Sequence, residues 1–192
     1  MDLHQNYLES TLKQLYYYKS LGEKTFVQLS ETDIHWQYSE YANSIAIIVK
    51  HLCGNMLSRW TNFLEEDGEK TWRDRDGEFV NTIEDKQDLL QKWNAGWACF
   101  LGAVEALNPN DLERIIYIRN QGHTALEAIN RQLAHYAYHI GQIVFIGTLL
   151  KGKDWVSLSI PRNQSQVFNQ DKFSQGKKRG HFTDEFISKK RK

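Results

Sequence analysis

Cysteine and proline are both scarce in this 192-residue chain, two of each. Cys53 and Cys99 stand alone without CxxC spacing, which excludes a disulfide framework and suits packed thiols in a reducing cytoplasm. Pro109 and Pro161 leave long proline-free stretches rich in Leu, Ala, Gln, Glu and Lys, which lean towards helix. Long hydrophobic runs are also missing. The longest, Ile140 to Leu150, is interrupted by Gly141, Gln142, Gly147 and Thr148, and a bilayer span needs ~20 mostly apolar residues. The opening MDLHQNYLESTLKQL has no basic stretch followed by an apolar one, so no signal peptide is expected and the expected location is cytoplasmic. No G-x-S-x-G, phosphate-loop or dinucleotide fingerprint occurs.

What is present is an ordinary globular balance, 41% hydrophobic and 25% charged, at a length that suits one domain with an appendage. Net charge is zero, yet it is unevenly spread. Residues 1–150 carry 13 Lys and Arg against 20 Asp and Glu, whereas residues 151–192 carry 11 against 4. The basic end, with Lys177-Lys178-Arg179 and Lys189-Lys190-Arg191-Lys192, reads as a solvated terminus. No aromatic-interleaved reading surface accompanies it, which argues against nucleic acid, while attraction to the acidic body also fits the charges.

Helical periodicity marks four long segments. The first runs from Leu3 to Leu29, and the second from an N-cap at Asn43-Ser44 to a glycine stop at Glu66-Asp67-Gly68. The third begins at Thr82, with Asp85 as a loose capping box, and stops before Asn108-Pro109. The fourth opens at the capping box Thr124-Ala-Leu-Glu127 and reaches Leu150. Residues 68–81 read as a polar surface loop and 113–119 (ERIIYIR) as a short extended piece. Trp155 to Pro161 reads as an apolar patch docked on the body. From Arg162 the period is lost and little order is expected. The expected fold is all-α, an antiparallel up-and-down four-helix bundle over 1–161, followed by an irregular basic extension over 162–192.

Seven histidines are present, and three fall inside helices with apolar neighbours: His51, His135 and His139. At ~100° per residue His135 and His139 stand about 40° apart on one face, bordering the apolar arc of the fourth helix. His51 borders the arc of the second helix in the same way. Three such imidazoles can hold one metal ion at a solvent-accessible cleft. A helical His pair also fits a hydrogen-bonded or surface pair, and the pairing of the second and fourth helices is an inference. Asn55 and Gln132, one turn from His51 and His135, are candidates to orient an imidazole or a substrate. Arg131 is a candidate for an anionic substrate group or an exposed salt bridge. A buried cysteine is a poor nucleophile, and neither His135 nor His139 has the preceding Glu of a di-iron bundle.

The stretches NSIAIIVKHLCGNMLSRW and AINRQLAHYAYHIGQIVFIG, with the later WVSLSIP, resemble the DinB-like superfamily of bacterial four-helix proteins. This superfamily includes the bacillithiol S-transferases, and within it the chain resembles a branch of unknown function. The resemblance covers residues 1–168 and rests on one helical His plus the motif HxxxHxxQ. It implies that His51, His135 and His139 bind a divalent ion, nickel or zinc, and that Gln142 hydrogen-bonds near it.

Three neutral ligands leave such an ion its full charge and an open position. Bound water would then ionise near pH ~7, and a bound thiol would deprotonate. The expectation is therefore a metal-dependent enzyme acting on a small molecule. The ligand set alone does not choose between thiol and water; the resemblance points to S-transfer from a low-molecular-weight thiol onto a small electrophile, with metal-dependent hydrolysis as the alternative. The rival is a non-catalytic helical protein with vestigial histidines, dimeric through apolar residues outside the core stripe such as Phe145. A homodimer is the expected assembly.

Overall fold

The structure is a computed structural model and describes residues 2–187. It is mostly helical, as periodicity predicts. The long helices are α1 (Leu3–Gln28), α2 (Ile45–Trp60), α3 (Lys86–Glu105) and α4 (Ala125–Lys151). Between α3 and α4 lies an antiparallel hairpin of β1 (Ile115–Ile118) and β2 (Gln121–Thr124). Beyond α4 come α5 (Ser165–Ser174) and the single turn α6 (Asp184–Ile187). No helix among the described residues is long and apolar enough to cross a membrane.

Side-chain caps explain where the helices begin. Asp2 accepts the Gln5 N–H and Ser44 the Ile47 N–H, so two orphan donors are met at the starts of α1 and α2. At α4 the capping box forms reciprocally: Glu127 N–H donates to Thr124 Oγ1 at 3.1 Å, and Thr124 N–H to Glu127 Oε2 at 2.8 Å. Helix α3 starts later than expected. Its N-cap is Asp85, not Thr82, because the Asp85 carboxylate takes the Asp88 N–H at 2.8 Å and anchors the first turn.

Helix α2 ends earlier than expected, at Trp60. Asn62 turns the chain with a φ of +49°, a left-handed conformation that Asn tolerates better than most residues. Gly68, expected as the stop, instead ties the loop to the hairpin. Its N–H donates to the Tyr117 carbonyl at 2.8 Å, and its carbonyl accepts from Ser58 and Arg59. The hairpin turn Arg119-Asn120 has φ of +55° and +60°, the primed geometry that matches strand twist. Ile116 and Ile118 are buried while Ile115 and Tyr117 face out, so the expected extended piece is the first strand of the pair.

The core joins all four long helices through aromatic rings. Phe26 meets Trp93 at 5.0 Å between centroids, Trp60 meets Phe100 at 4.5 Å, and Phe100 meets Tyr136 at 4.9 Å. Helix α1 packs on α3 and α4, and α2 packs on α3 and α4. Gly22 of α1 allows the approach of Trp93, whose ring lies 2.4 Å from where a Cβ would stand.

The chain after Arg162 is more regular than its composition predicts. None of α5 is buried, but the segment around α6 is anchored on α1. Asp184 pairs with Lys13 at 2.8 Å, His181 meets Ser10 at 3.1 Å, and the Tyr17 ring contacts Phe182 and Phe186. Acidic and aromatic contacts with α1 thus replace the missing period. The run Lys189–Lys192 lies outside the described residues. The Trp155 segment packs on α1 and α4 as expected, with Val156 exchanging two hydrogen bonds with the Gln28 amide.

Two predictions follow from this packing. Alanine in a helix interior ordinarily gains ~1 kcal/mol over glycine, but overpacking a core costs ~1–3 kcal/mol. Gly22→Ala is therefore expected to lower the thermal midpoint, and a midpoint at or above that of the parent would contradict the Trp93 contact. The second concerns Asp67, which braces the hairpin. Burial opposes its ionisation, but backbone N–H groups of Asn120, Glu69 and Arg119 outweigh it and hold the carboxyl below its ordinary value. A depressed folded-state pKa contributes stability that is full above the unfolded value near ~3.9 and lost as pH falls through the folded value. Asp67→Asn is expected to be less stable at pH 7 by urea denaturation, with the gap closing below pH ~4.

Candidate metal centre

The aromatic core holds α2 against α4, and the consequence lies one turn above it. Here His51 of α2 meets His135 and His139 of α4. His51 Nε2 lies 3.4 Å from His135 Nε2, which in turn lies 3.1 Å from His139 Nε2. All three ligating nitrogens fall within 4.8 Å of one another, so the group can hold a metal ion. His51 and His139 are buried and His135 half-buried.

The outer nitrogens settle which atoms face inward. His51 Nδ1 sits 2.8 Å from the Glu78 carboxylate, which only accepts, so Nδ1 carries the proton and Nε2 presents a lone pair. His139 Nδ1 sits 2.7 Å from Gln142 Oε1, while the Gln142 amide N–H donates to the Tyr138 hydroxyl. The same tautomer follows for His139. His135 Nε2 therefore faces two acceptors, and a proton on it can satisfy only one of them. A cation at the centre satisfies all three lone pairs at once. The donor set thus fits a metal, with imidazole the ligand that zinc, nickel, copper and iron accept.

Electrostatics favours the neutral form of the two imidazoles on α4. Burial, then the neighbouring His139 and His51 and the guanidinium groups of Arg131 and Arg73, push His135 down to about 3. Burial also lowers His139, against the opposing hydrogen bond from Gln142. Burial works against the charge on Glu78, but His51 and Arg73 hold its carboxyl below the usual range.

Glu78 comes from the loop that reads as a plain surface segment, which is a correction. Residues 68–81 lie over α2, and Glu78 and Lys70 are buried in place. Arg73 grips both Glu78 oxygens, Nε to Oε1 at 2.8 Å and Nη2 to Oε2 at 3.0 Å. Phe79 stacks on the His51 ring at 4.9 Å. Gly54, one turn after His51, leaves the space that Glu78 fills, since a Cβ there would lie 2.3 Å from Oε1. The sequence signal for this arrangement was slight: an Arg and a Glu five residues apart in a charged loop.

The remaining candidates fall differently. Asn55 does not touch an imidazole; its Oδ1 accepts from the Tyr136 hydroxyl, which itself accepts from Trp60. Gln132 is buried with Oε1 lacking a hydrogen-bond partner, beside His135. Gln142 bonds His139 as described. Tyr136 is core and Tyr138 exposed. Burial raises the Cys53 thiol, which keeps it protonated and unreactive.

One cavity of about 220 Å³ opens on His51 and His135, lined besides by Asn55, Gln132 and arginines. A larger hollow of about 610 Å³ lies between α1 and the C-terminal segment, away from the histidines.

Residues 2–164 match the family described as "Protein of unknown function (DUF1572)". The chain belongs to this family. The match spans the four long helices, the hairpin and all three histidines, and ends immediately before α5. No curated protein and no solved structure matches the chain.

Partners that orient a metal-bound histidine typically contribute about 10–100-fold to metal affinity. Glu78→Gln and Gly54→Ala, which weaken or displace the carboxylate by different means, are expected to lower zinc affinity by that order in a chelator competition. Parent-like affinity in both would remove Glu78 from the centre.

Proposed function

We propose that this family member is a divalent-metal-dependent enzyme that activates a low-molecular-weight thiol for transfer to a small electrophile. The observation that carries the reading is the convergence of three imidazole lone pairs beside a cavity whose lining contains no carboxylate. Nickel or zinc suits the nitrogen donors. We read the four long helices as an antiparallel bundle of DinB-like type, in keeping with the resemblance of the His51 and HxxxHxxQ stretches.

When bound, the ion would lower the pKa of a thiol or water at its open position so that it reacts as the anion. The chain's own residues do the rest. Glu78 and Gln142 hold the His51 and His139 rings with Nε2 inward. Phe79 covers one face of His51, and the aromatic core seals the site from below. In the transfer the thiol sulfur forms a bond to carbon as the leaving group departs with its electron pair, and the thiol proton passes to solvent.

Hydrolysis needs a group that takes a proton from water during attack, commonly a carboxylate. Glu78 is the nearest one, and both its oxygens are committed to Arg73 and His51. That favours the thiol over water. We extend the reading to a homodimer on one observation: Tyr38, Tyr41, Phe145 and Leu149 form an exposed apolar group on the face beyond Gln142.

Metal analysis of untagged protein beside His135→Ala tests the centre. About one equivalent in the parent and a large loss in the variant are expected, and equally negligible metal in both would end the proposal. With zinc or nickel restored, a panel of small thiols and a chlorinated bimane should give metal-dependent conjugation that His135→Ala abolishes. Metal-dependent ester hydrolysis without thiol dependence would replace transfer by hydrolysis.

A further inference from the structure

The cavity beside the histidines is unusual in its charge. Five guanidinium groups line it: Arg59, Arg73, Arg75, Arg119 and Arg131. They come from four separate parts of the fold: α2, the loop over it, the hairpin turn and α4. Two carboxylates answer the inner ones. Glu69 pairs with Arg59 at 2.9 Å and Arg119 at 3.0 Å, with Arg73 at 3.5 Å, and Glu78 pairs with Arg73. Arg75 lies over the Phe79 ring and among the described carboxylates meets only the exposed Asp76, at 3.9 Å, and Arg131 has no carboxylate within ion-pair distance among the described residues. Positive charge is therefore in excess around a concave space.

Hydrogen-bonding capacity is also left over. Arg59 is 7% exposed and the Arg73 side chain 2%, yet Arg59 Nε has no hydrogen-bond acceptor and Arg73 Nη1 has only the Glu69 carboxylate at 3.5 Å, without a hydrogen bond. Burial already lowers Arg59 from its ordinary value, so its charge is held at a cost that an anion would relieve. Buried Gln132 has its Oε1 unpartnered at the His135 edge; as an acceptor it suits a donor on the ligand and not the oxyanion itself. Buried donors without acceptors are uncommon, and a forked guanidinium suits a carboxylate or phosphate better than it suits water.

We infer that this cavity is the subsite for an oxyanion, a carboxylate or phosphate, carried by the small molecule that reacts at the three-histidine centre. At about 220 Å³ it is below the usual span of ligand pockets, room for a small charged group and not a whole large ligand. Because His51 and His135 share its wall, an anchored oxyanion places the rest of the molecule beside the imidazoles that would hold the ion. The inference adds a substrate class to the proposed function and rests on it for the word substrate. The anion subsite itself stands on the arginines alone.

The test uses the full chain freed of metal, titrated calorimetrically with inorganic phosphate and, separately, with malonate. Saturable binding of either is expected, falling as ionic strength rises. Arg131→Gln and Arg119→Gln, both at exposed positions, should weaken it about tenfold or more, as loss of a charge-assisted hydrogen bond does. Lys153→Gln, exposed and outside the cavity, should leave it unchanged. The stronger of the two probes identifies the oxyanion type. Absence of saturable binding by both, or equal affinity in the arginine variants and the parent, overturns the inference. Loss of metal binding in the separate His135→Ala analysis bears on the centre and not on this subsite, so the two failures are told apart.

Discussion

Two hydrogen bonds from the outer nitrogens of buried histidines set which ring edges face one another at the candidate metal centre. With Glu78 on His51 Nδ1 and Gln142 on His139 Nδ1, both rings turn their unprotonated edges towards His135. Lone pairs brought this close without a cation are mutually unfavourable, and burial prevents relief by protonation. Such an arrangement makes physical sense as a prepared ligand set. The energy that holds it comes from elsewhere, from the aromatic contacts among Phe26, Trp60, Trp93, Phe100 and Tyr136 that clamp four helices together.

The loop over α2 and the hairpin turn complete the site from the side that the helices leave open. Glu78 serves His51 only because Arg73 fixes its carboxylate, and Arg73 is itself steadied by Glu69. Glu69 also reaches Arg59 on α2 and Arg119 on the hairpin, so one carboxylate joins three segments. The Asp67 carboxylate accepts from the backbone N–H groups of the same turn. Charge that would look like scattered surface polarity in the chain is thereby gathered around one hollow, and the positive sign prevails there.

Helices were legible because their signals are local. The apolar stripes of α1 to α4 and the reciprocal cap of Thr124 and Glu127 need no partner segment to be recognised. Boundaries were less so. Two residues able to cap, Thr82 and Asp85 three positions on, compete at the start of α3, and the choice falls to whichever carboxylate or hydroxyl meets the N–H of the first turn. The end of α2 turns on Asn62 accepting a left-handed conformation, which a glycine six residues later masks in the sequence. Order around α6 depends on contacts with α1 more than 150 positions away, which no periodicity in the segment reveals.

Sequence alone determined the helical class, the spacing that puts His135 and His139 on one face, and the placement of His51 on the rim of another apolar arc. These follow from the 3.6-residue turn, which acts within a single helix. Tertiary structure decided that the three rings meet, which nitrogen each presents, and that Asn55 serves Tyr136 and not a histidine. It also decided that a charged loop delivers Glu78 and gathers arginines from four segments. The reason is one of range: a hydrogen bond between residues 27 or 84 positions apart exists only once the intervening chain has folded and lost its freedom.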